Sequence, residues 1–201
     1  MSTFAKVLLA TDLTPQSDNL TECLFSLCPD TETEVVLAHV FDDDDDADPD
    51  GSNYKKVNSR LEGYKNDLEQ AGYEEVTIVT PVGDEPFEAI CDAGEEHEAD
   101  LLMVASHGKG FLKSTLMGST TFDLARATTL PLFISKEDNK DASKLLDTIL
   151  IPTDFSQKSL DCLNVVRGLR EYIGNVIFIH VIERYRSKEE YKEKYGNARL
   201  F

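Results

Sequence analysis

The run Val35-Val36-Leu37-Ala38-His39-Val40-Phe41 decides the fold. It lacks the polar–apolar alternation of a strand with one wet face, so both of its faces are covered. That burial belongs to a parallel sheet with helices on both sides. Toward the N-terminus, Val7-Leu8-Leu9 is a second short apolar run, followed by Thr11-Asp12 and then Thr14-Pro15. Thr14 as N-cap, with Pro15 in the first helical position, starts a helix that runs to about Leu27. Leu20, Leu24 and Leu27 share one face of it.

Beyond Phe41 comes DDDDDADPDGS, with seven Asp residues beside Pro49 and Gly51. It reads as a solvated loop; no glycine-spaced calcium-loop pattern supports a cation site. A helix from about Asn53 to Ala71 carries Leu61, Tyr64 and Leu68 and stops at Gly72. Val76–Thr80 is a third strand. Asp84 is placed to cap a helix over 85–97, with Phe87, Ile90 and Cys91 inward. Leu101–Ala105 (LLMVA) is a fourth strand, and a glycine-containing loop over 106–117 leads away from it. A helix over 118–129 and a strand at Leu132-Phe133-Ile134 close the unit. Strand and helix thus alternate five times, which predicts an α/β fold with a doubly wound five-stranded parallel sheet.

Residues 137–146 are polar and read as a linker between a complete domain over 1–136 and a further segment over 147–201. That segment repeats the start of the first. Ile149-Leu150-Ile151-Pro152-Thr153-Asp154-Phe155-Ser156 matches Val7-Leu8-Leu9-Ala10-Thr11-Asp12-Leu13-Thr14 at an offset of 142. Val176-Ile177-Phe178-Ile179-His180-Val181-Ile182 matches the opening run at an offset of 141. The copy ends at Phe201, after two strands and the start of a second helix: a half-copy of the same unit. A lone strand-helix-strand buries too little surface to be secure by itself.

The net charge is −18, with 38 acidic and 20 basic residues. Residues 1–136 hold 27 acidic and 9 basic groups, and residues 137–201 hold 11 of each, so the whole imbalance lies in the first part. Such a domain repels nucleic acid and anionic lipid at long range, which disfavours both as partners. No apolar stretch is long enough for a membrane span and the N-terminus lacks a secretory pattern, so the expected location is cytoplasmic. Cys23, Cys28, Cys91 and Cys162 form no C-x-x-C pair, and the four histidines show no metal-ligand spacing. Reduced, mostly buried thiols are expected, and no metal site.

Chemistry concentrates at Val104-Ala105-Ser106-His107-Gly108, followed after nine residues by Gly118-Ser119-Thr120. A strand ends, a loop with Gly108 and Gly110 turns, and a helix begins with free N–H groups and two hydroxyls, an arrangement suited to an anion. Lys109 and Lys113 are the only lysines or arginines between residues 66 and 125, a stretch with 13 acidic groups. They sit where a phosphate would need relief from repulsion, although any exposed loop carries lysines. Asp12, at the carboxyl end of the first strand, faces the same crevice. It is placed either to accept from an adenine amine or ribose hydroxyl, or to cap the turn into the helix. His39 and His180 recur beside Val at strand ends, which favours a structural role, and no catalytic base or nucleophile pairing emerges.

These residues carry a resemblance. Ala10-Thr11-Asp12, His39-Val40, Ala105-Ser106-His107-Gly108, nine residues and Gly118-Ser119 resemble the universal stress protein family, whose nucleotide-binding members carry G-x-x-G, nine residues, then G-S or G-T. The resemblance spans residues 3–136 and, as half a copy, 147–201, and it implies an adenine-nucleotide alpha hydrolase-like sheet. It implies a nucleotide site in which Thr11, Asp12 and the backbone near Val40 hold the adenine. Val104, Ala105 and Gly108 would then approach the ribose and phosphates, and Gly118, Ser119 and Thr120 the phosphates, with Lys109 and Lys113 in support. The ligand would be ATP or ADP, with or without Mg2+. Ala105 departs from the motif's first glycine, and matters if that position needs positive φ. The resemblance also implies pairing of domains through the last strand, hence a homodimer through residues 131–135.

Three functions follow as expectations. The first is a cytoplasmic ATP-binding stress or regulatory protein that senses nucleotide with little turnover and is not an enzyme. The second is a dimerising interaction module of the same fold without nucleotide. The third is a slow ATPase or self-phosphorylating protein with Ser106, Ser119 or Thr120 as acceptor.

Overall fold

In the computed structural model, residues 3–42, 47–106, 118–136 and 141–181 are described. Apolar runs of four or five residues form β1 (Lys6–Ala10), β2 (Glu34–Ala38), β3 (Val76–Val79), β4 (Leu101–Ala105) and β5 (Leu132–Ser135). The order is β3-β2-β1-β4-β5, and all four pairings are parallel. The helices between them are α1 (Pro15–Leu27), α2 (Ser52–Gln70), α3 (Pro86–Glu96) and α4 (Ser119–Ala127). This is the expected doubly wound sheet.

Alternate residues of each strand feed two core layers, as a sheet covered on both sides requires. Val7, Leu9, Val35, Leu37, Leu101 and Met103 meet Leu20, Leu24 and Leu27 of α1 and Leu68 of α2. Leu8, Val36, Leu102 and Val104 meet Ile90 and Ala93 of α3 and Leu124 of α4. Leu20, Leu24, Leu61 and Leu68 are wholly buried, as the helical spacing predicts. A smaller cluster of Leu13, Phe41, Val57 and Leu61 lies under α2.

Helix ends differ from expectation in detail. Thr14 does occupy the N-cap of α1, with Pro15 following, but its hydroxyl donates to Asp12 instead of capping. The cap of α3 is Glu85, one residue after Asp84, because Pro86 is pre-set for the first helical position. Gly72 ends α2 with φ at +105°, where a Cβ would be strained.

The 137–146 stretch, expected as a linker, is not wholly solvated among the residues described. A 3-10 turn spans Ala142–Lys144, and Ala142 and Leu146 are buried against α1. Ser26 of α1 donates its hydroxyl hydrogen to the Ala142 carbonyl at 2.8 Å. Next come β6 (Thr148–Pro152), α5 (Gln157–Gly168) and β7 (Asn175–Ile179), with β6 and β7 paired in parallel as a separate two-stranded sheet. Leu169, just after α5, joins the α1-side core, whereas all five residues of β7 are exposed.

Candidate functional site

The sheet order reverses between β1 and β4, and helices leave to opposite faces on either side of that point. Ligands of open α/β sheets bind beyond the carboxyl ends of the strands at such a reversal. A cleft of about 390 Å³ lies there. It is lined by Thr11, Asp12, Val40, Val104, Ala105, Gly118, Ser119 and Thr120, all eight of them singled out from the sequence. Gly108, Lys109 and Lys113, and with them His107, lie outside the described residues.

One side of the cleft is the turn from β1 into α1. The Thr11 amide donates to the Ala38 carbonyl at 2.9 Å, extending the β1–β2 pairing by one residue. The Thr11 hydroxyl donates to Ser17 Oγ at 2.8 Å and accepts from the Leu13 amide at 3.0 Å. Thr11 is therefore buried structure at the cleft floor, its hydroxyl already engaged within the protein. Asp12 Oδ1 accepts from the Thr14 amide at 3.0 Å and from the Thr14 hydroxyl at 2.7 Å, an Asx-type turn. One carboxylate oxygen thus shapes the turn while the residue lines the cleft. Leu13, between the two, adopts φ of 59°, the left-handed region that L-residues seldom enter.

His39 follows β2, and its Nδ1 lies 2.8 Å from the Thr11 carbonyl oxygen. A carbonyl only accepts, so Nδ1 carries the proton. The ring meets Phe41 edge-on at 5.2 Å. His39 thus locks β2 to the β1 turn and also lines the cleft.

The opposite side is the end of β4 and the start of α4. The Gly118 amide donates to the Ser106 carbonyl at 2.8 Å, and Thr121 Oγ1 donates to the Ala105 carbonyl at 2.9 Å. These bonds aim the first turn of α4 at the cleft. Its leading N–H groups have no acceptor within the helix, so that end carries partial positive charge. Ala105 is the last residue of β4, in register with Ser135, and its φ is not positive. Its methyl group packs against the α1-side core, so glycine's conformational freedom is not required here.

Sequence reasoning did not find the remaining walls. Asn53 and Val57 come from α2, Pro86 and Ile90 from α3, and Asp42 follows β2. Their shared signal is position: each lies just after a strand or in the first turns of a helix that begins at the carboxyl edge of the sheet. Among the described lining residues none is lysine or arginine, so the positive character there comes from helix N-termini, that of α4 included.

An open, doubly wound α/β domain with a cleft at the strand-order reversal is the class that fold and site define. Within it, the family described as "Universal stress protein family" matches residues 3–136, and this chain belongs to it. Over 85 residues it is 31% identical to universal stress protein MJ0577 of Methanocaldococcus jannaschii, 42% of this chain and 51% of that one. The matched stretch spans about half the length of that curated relative. The solved structure of MJ0577 is 26% identical over 68% of this chain and 99% of its own, with a TM-score of 0.52. A universal stress protein from Archaeoglobus fulgidus shares the fold across 94% of this chain and 71% of its own, at 23% identity and a TM-score of 0.72. A universal stress protein solved in complex with cAMP shares it across 67% of this chain and 98% of its own, at 20% identity and a TM-score of 0.52.

Proposed function

We infer that this chain binds an adenine nucleotide, ATP or ADP, in the cleft and serves as a nucleotide-dependent stress or regulatory protein with little turnover. The observation that carries the reading is convergence. Asp12, the backbone near Val40 and the N-terminal turn of α4 face one cavity at the strand-order reversal. Asp12 and the Val40 backbone take the adenine side, while Thr11 holds the turn. Val104, Ala105 and Gly108 approach the ribose and phosphates. Gly118, Ser119 and Thr120 receive the phosphates at the helix terminus, where amides and dipole favour an anion, and Lys109 and Lys113 add charge. Among the described residues no group of three His, Cys, Asp or Glu side chains is placed to hold a metal.

The test is to purify the protein without added nucleotide, denature it and chromatograph what is released, then titrate the stripped protein with ATP. ATP or ADP near one equivalent supports the reading. An empty protein that also takes up no ATP overturns it. Gly118→Leu should abolish binding by filling the approach to the helix terminus; unchanged affinity would contradict the phosphate assignment. The relative solved with cAMP makes cyclic nucleotide the natural competitor in the same titration.

A second reading, a dimerising interaction module, draws on β5. Among the described residues it is the outermost strand, so one of its edges meets no other described strand of the sheet. A homodimer through residues 131–135 fits that edge, and sedimentation showing only monomer at micromolar concentration would exclude it.

Residues 147–201 are best read as a second copy of the start of the first unit, after the 137–146 linker. Hydrogen bonds support this. The Thr153 amide donates to the Ile179 carbonyl, the Phe155 amide to Thr153 Oγ1, the Ser156 amide to Asp154 Oδ1, and His180 Nδ1 lies 2.6 Å from the Thr153 carbonyl. Each repeats a bond of the first turn. Phe155 repeats Leu13 in φ, at 63°.

A further inference from the structure

In the β1–α1 turn the carbonyl of Leu13 is taken by a side chain from a different helix: Arg60 of α2 places Nη1 2.5 Å from it. The same guanidinium sets Nη2 3.7 Å from Asp18 Oδ1 on α1, and Tyr64, one turn further along α2, donates its hydroxyl hydrogen to that oxygen. Arg60 therefore spans three elements. Guanidinium suits this role because its donors point in fixed, divergent directions and it stays charged.

The conformation of the turn recurs in the second copy. Phe155 holds nearly the same φ as Leu13, with the same Asx-type hydrogen bonds, yet it is 56% exposed where Leu13 is 6%. The left-handed residue is thus a property of the Thr-Asp-x-Ser/Thr sequence. What differs at Leu13 is its surroundings. Its side chain is sunk among Phe41, Val57 and Leu61 and its carbonyl is held by Arg60. Asp12, immediately before Leu13, lines one wall of the cleft, and Asn53 and Val57 of α2 line another.

The geometry points to Arg60 as a positioning residue that couples these two walls, fixing the distance between Asp12 and the start of α2 and so the width of the cleft for its ligand. This rests on the nucleotide reading above for the ligand, but not for the brace. Arg60 does not line the cleft, so it acts through the Leu13 carbonyl and through α2.

The test compares the full chain with Arg60→Met, which keeps the stem but loses the donors, and with Arg60→Lys, which can serve the Leu13 carbonyl or Asp18 but not both. Two readouts are taken: ATP affinity by calorimetry, and amide hydrogen exchange at Leu13 and Thr14 without nucleotide. Arg60→Met is expected to weaken ATP about tenfold, the scale of one lost charge-assisted hydrogen bond. It should also speed exchange at those two amides while leaving β4 and α4 unchanged, with Arg60→Lys between. Wild-type affinity and wild-type exchange in Arg60→Met would overturn the proposal. Global acceleration of exchange would overturn it too, by making Arg60 a general stability residue. If the unaltered chain takes up no ATP, the nucleotide reading falls alone, and local exchange decides the brace.

Discussion

Thr121 of α4 donates its hydroxyl hydrogen to the carbonyl oxygen of Ala105 at 2.9 Å, joining the first turn of the helix to the last residue of β4. Thr121 is buried, at 6% exposure, so water cannot readily replace it. Thr121→Val keeps the shape and removes the donor. Leaving this half-buried carbonyl without its partner costs about 1 kcal/mol. Denaturant unfolding should show that loss as a lower midpoint at unchanged slope, with Thr121→Ser close to wild type. ATP affinity should fall as well, because this bond aims the α4 terminus at the cleft. A stable Thr121→Val protein with full affinity would show that the Gly118 amide bond to Ser106 suffices.

Asp12 can be divided into its two roles. Its Oδ1 accepts from both the amide and the hydroxyl of Thr14. An asparagine oxygen accepts the same pair, so Asp12→Asn is expected to keep the turn and the unfolding midpoint. Asp12→Ala loses both bonds and about 1 kcal/mol. If the carboxylate also receives a ligand hydrogen, Asp12→Asn weakens ATP about tenfold without a stability change. Equal affinity would assign Asp12 to the turn alone.

Much of this was legible in the sequence, for identifiable reasons. Val35 to Ala38 has no alternation because α1 and α2 cover one face and α3 and α4 the other, and that pattern alone points to a parallel sheet. Gly118 and Asp12 stand out because turn and helix-start residues are chemically distinctive. Asn53, Val57, Pro86 and Ile90 do not. They reach the cleft through the order of strands, a long-range property that no local window contains. Ala142 and Leu146 were hidden in a different way. A segment of mostly polar residues reads as solvated, yet two buried apolar side chains and one carbonyl bonded to Ser26 are enough to dock it. At Ala105 the opposite happened: a departure from the glycine motif drew notice, and its extended backbone makes it unstrained.

Gly94 of α3 lies tight against the sheet. A Cβ there would stand 2.9 Å from Leu102 Cδ2 and 3.3 Å from Leu130 Cδ1, and Leu102 is wholly buried. Gly94→Val is expected to overpack the layer at a cost of about 1–3 kcal/mol. Gly94→Ala gains about 1 kcal/mol in helix propensity, which offsets part of a milder clash. Thermal unfolding should therefore rank wild type and Ala close together and Val clearly below. Because Pro86 and Ile90 of the same helix wall the cleft, Gly94→Val should also lower ATP affinity. A Val variant as stable as wild type would mean α3 moves away from β4 freely.

Stability should fall in alkali. Burial pushes the Cys28 thiol from its ordinary value of 9.0 up to about 12. Tyr64 is raised from 10.0 to about 12, first by burial and then by its bond to Asp18. Burial also raises Tyr73, whose hydroxyl donates to the Cys28 carbonyl at 2.6 Å. In the unfolded chain these groups ionise near their ordinary values. Between about pH 9 and 12 the unfolded state therefore binds fewer protons than the folded one, and stability decreases as pH rises. Their contribution is complete below about pH 8 and is lost progressively above it. Urea midpoints from about pH 7 to about pH 11 should stay level at first and then fall, and Cys28→Ala should shallow the fall. Thiol labelling offers the independent check. Cys162 is exposed and should react first, Cys91 more slowly, and the buried Cys23 and Cys28 only on unfolding. Rapid labelling of Cys28 in the native protein, or a midpoint constant through the alkaline range, would mean that the layer between α1 and Tyr73 opens without global unfolding.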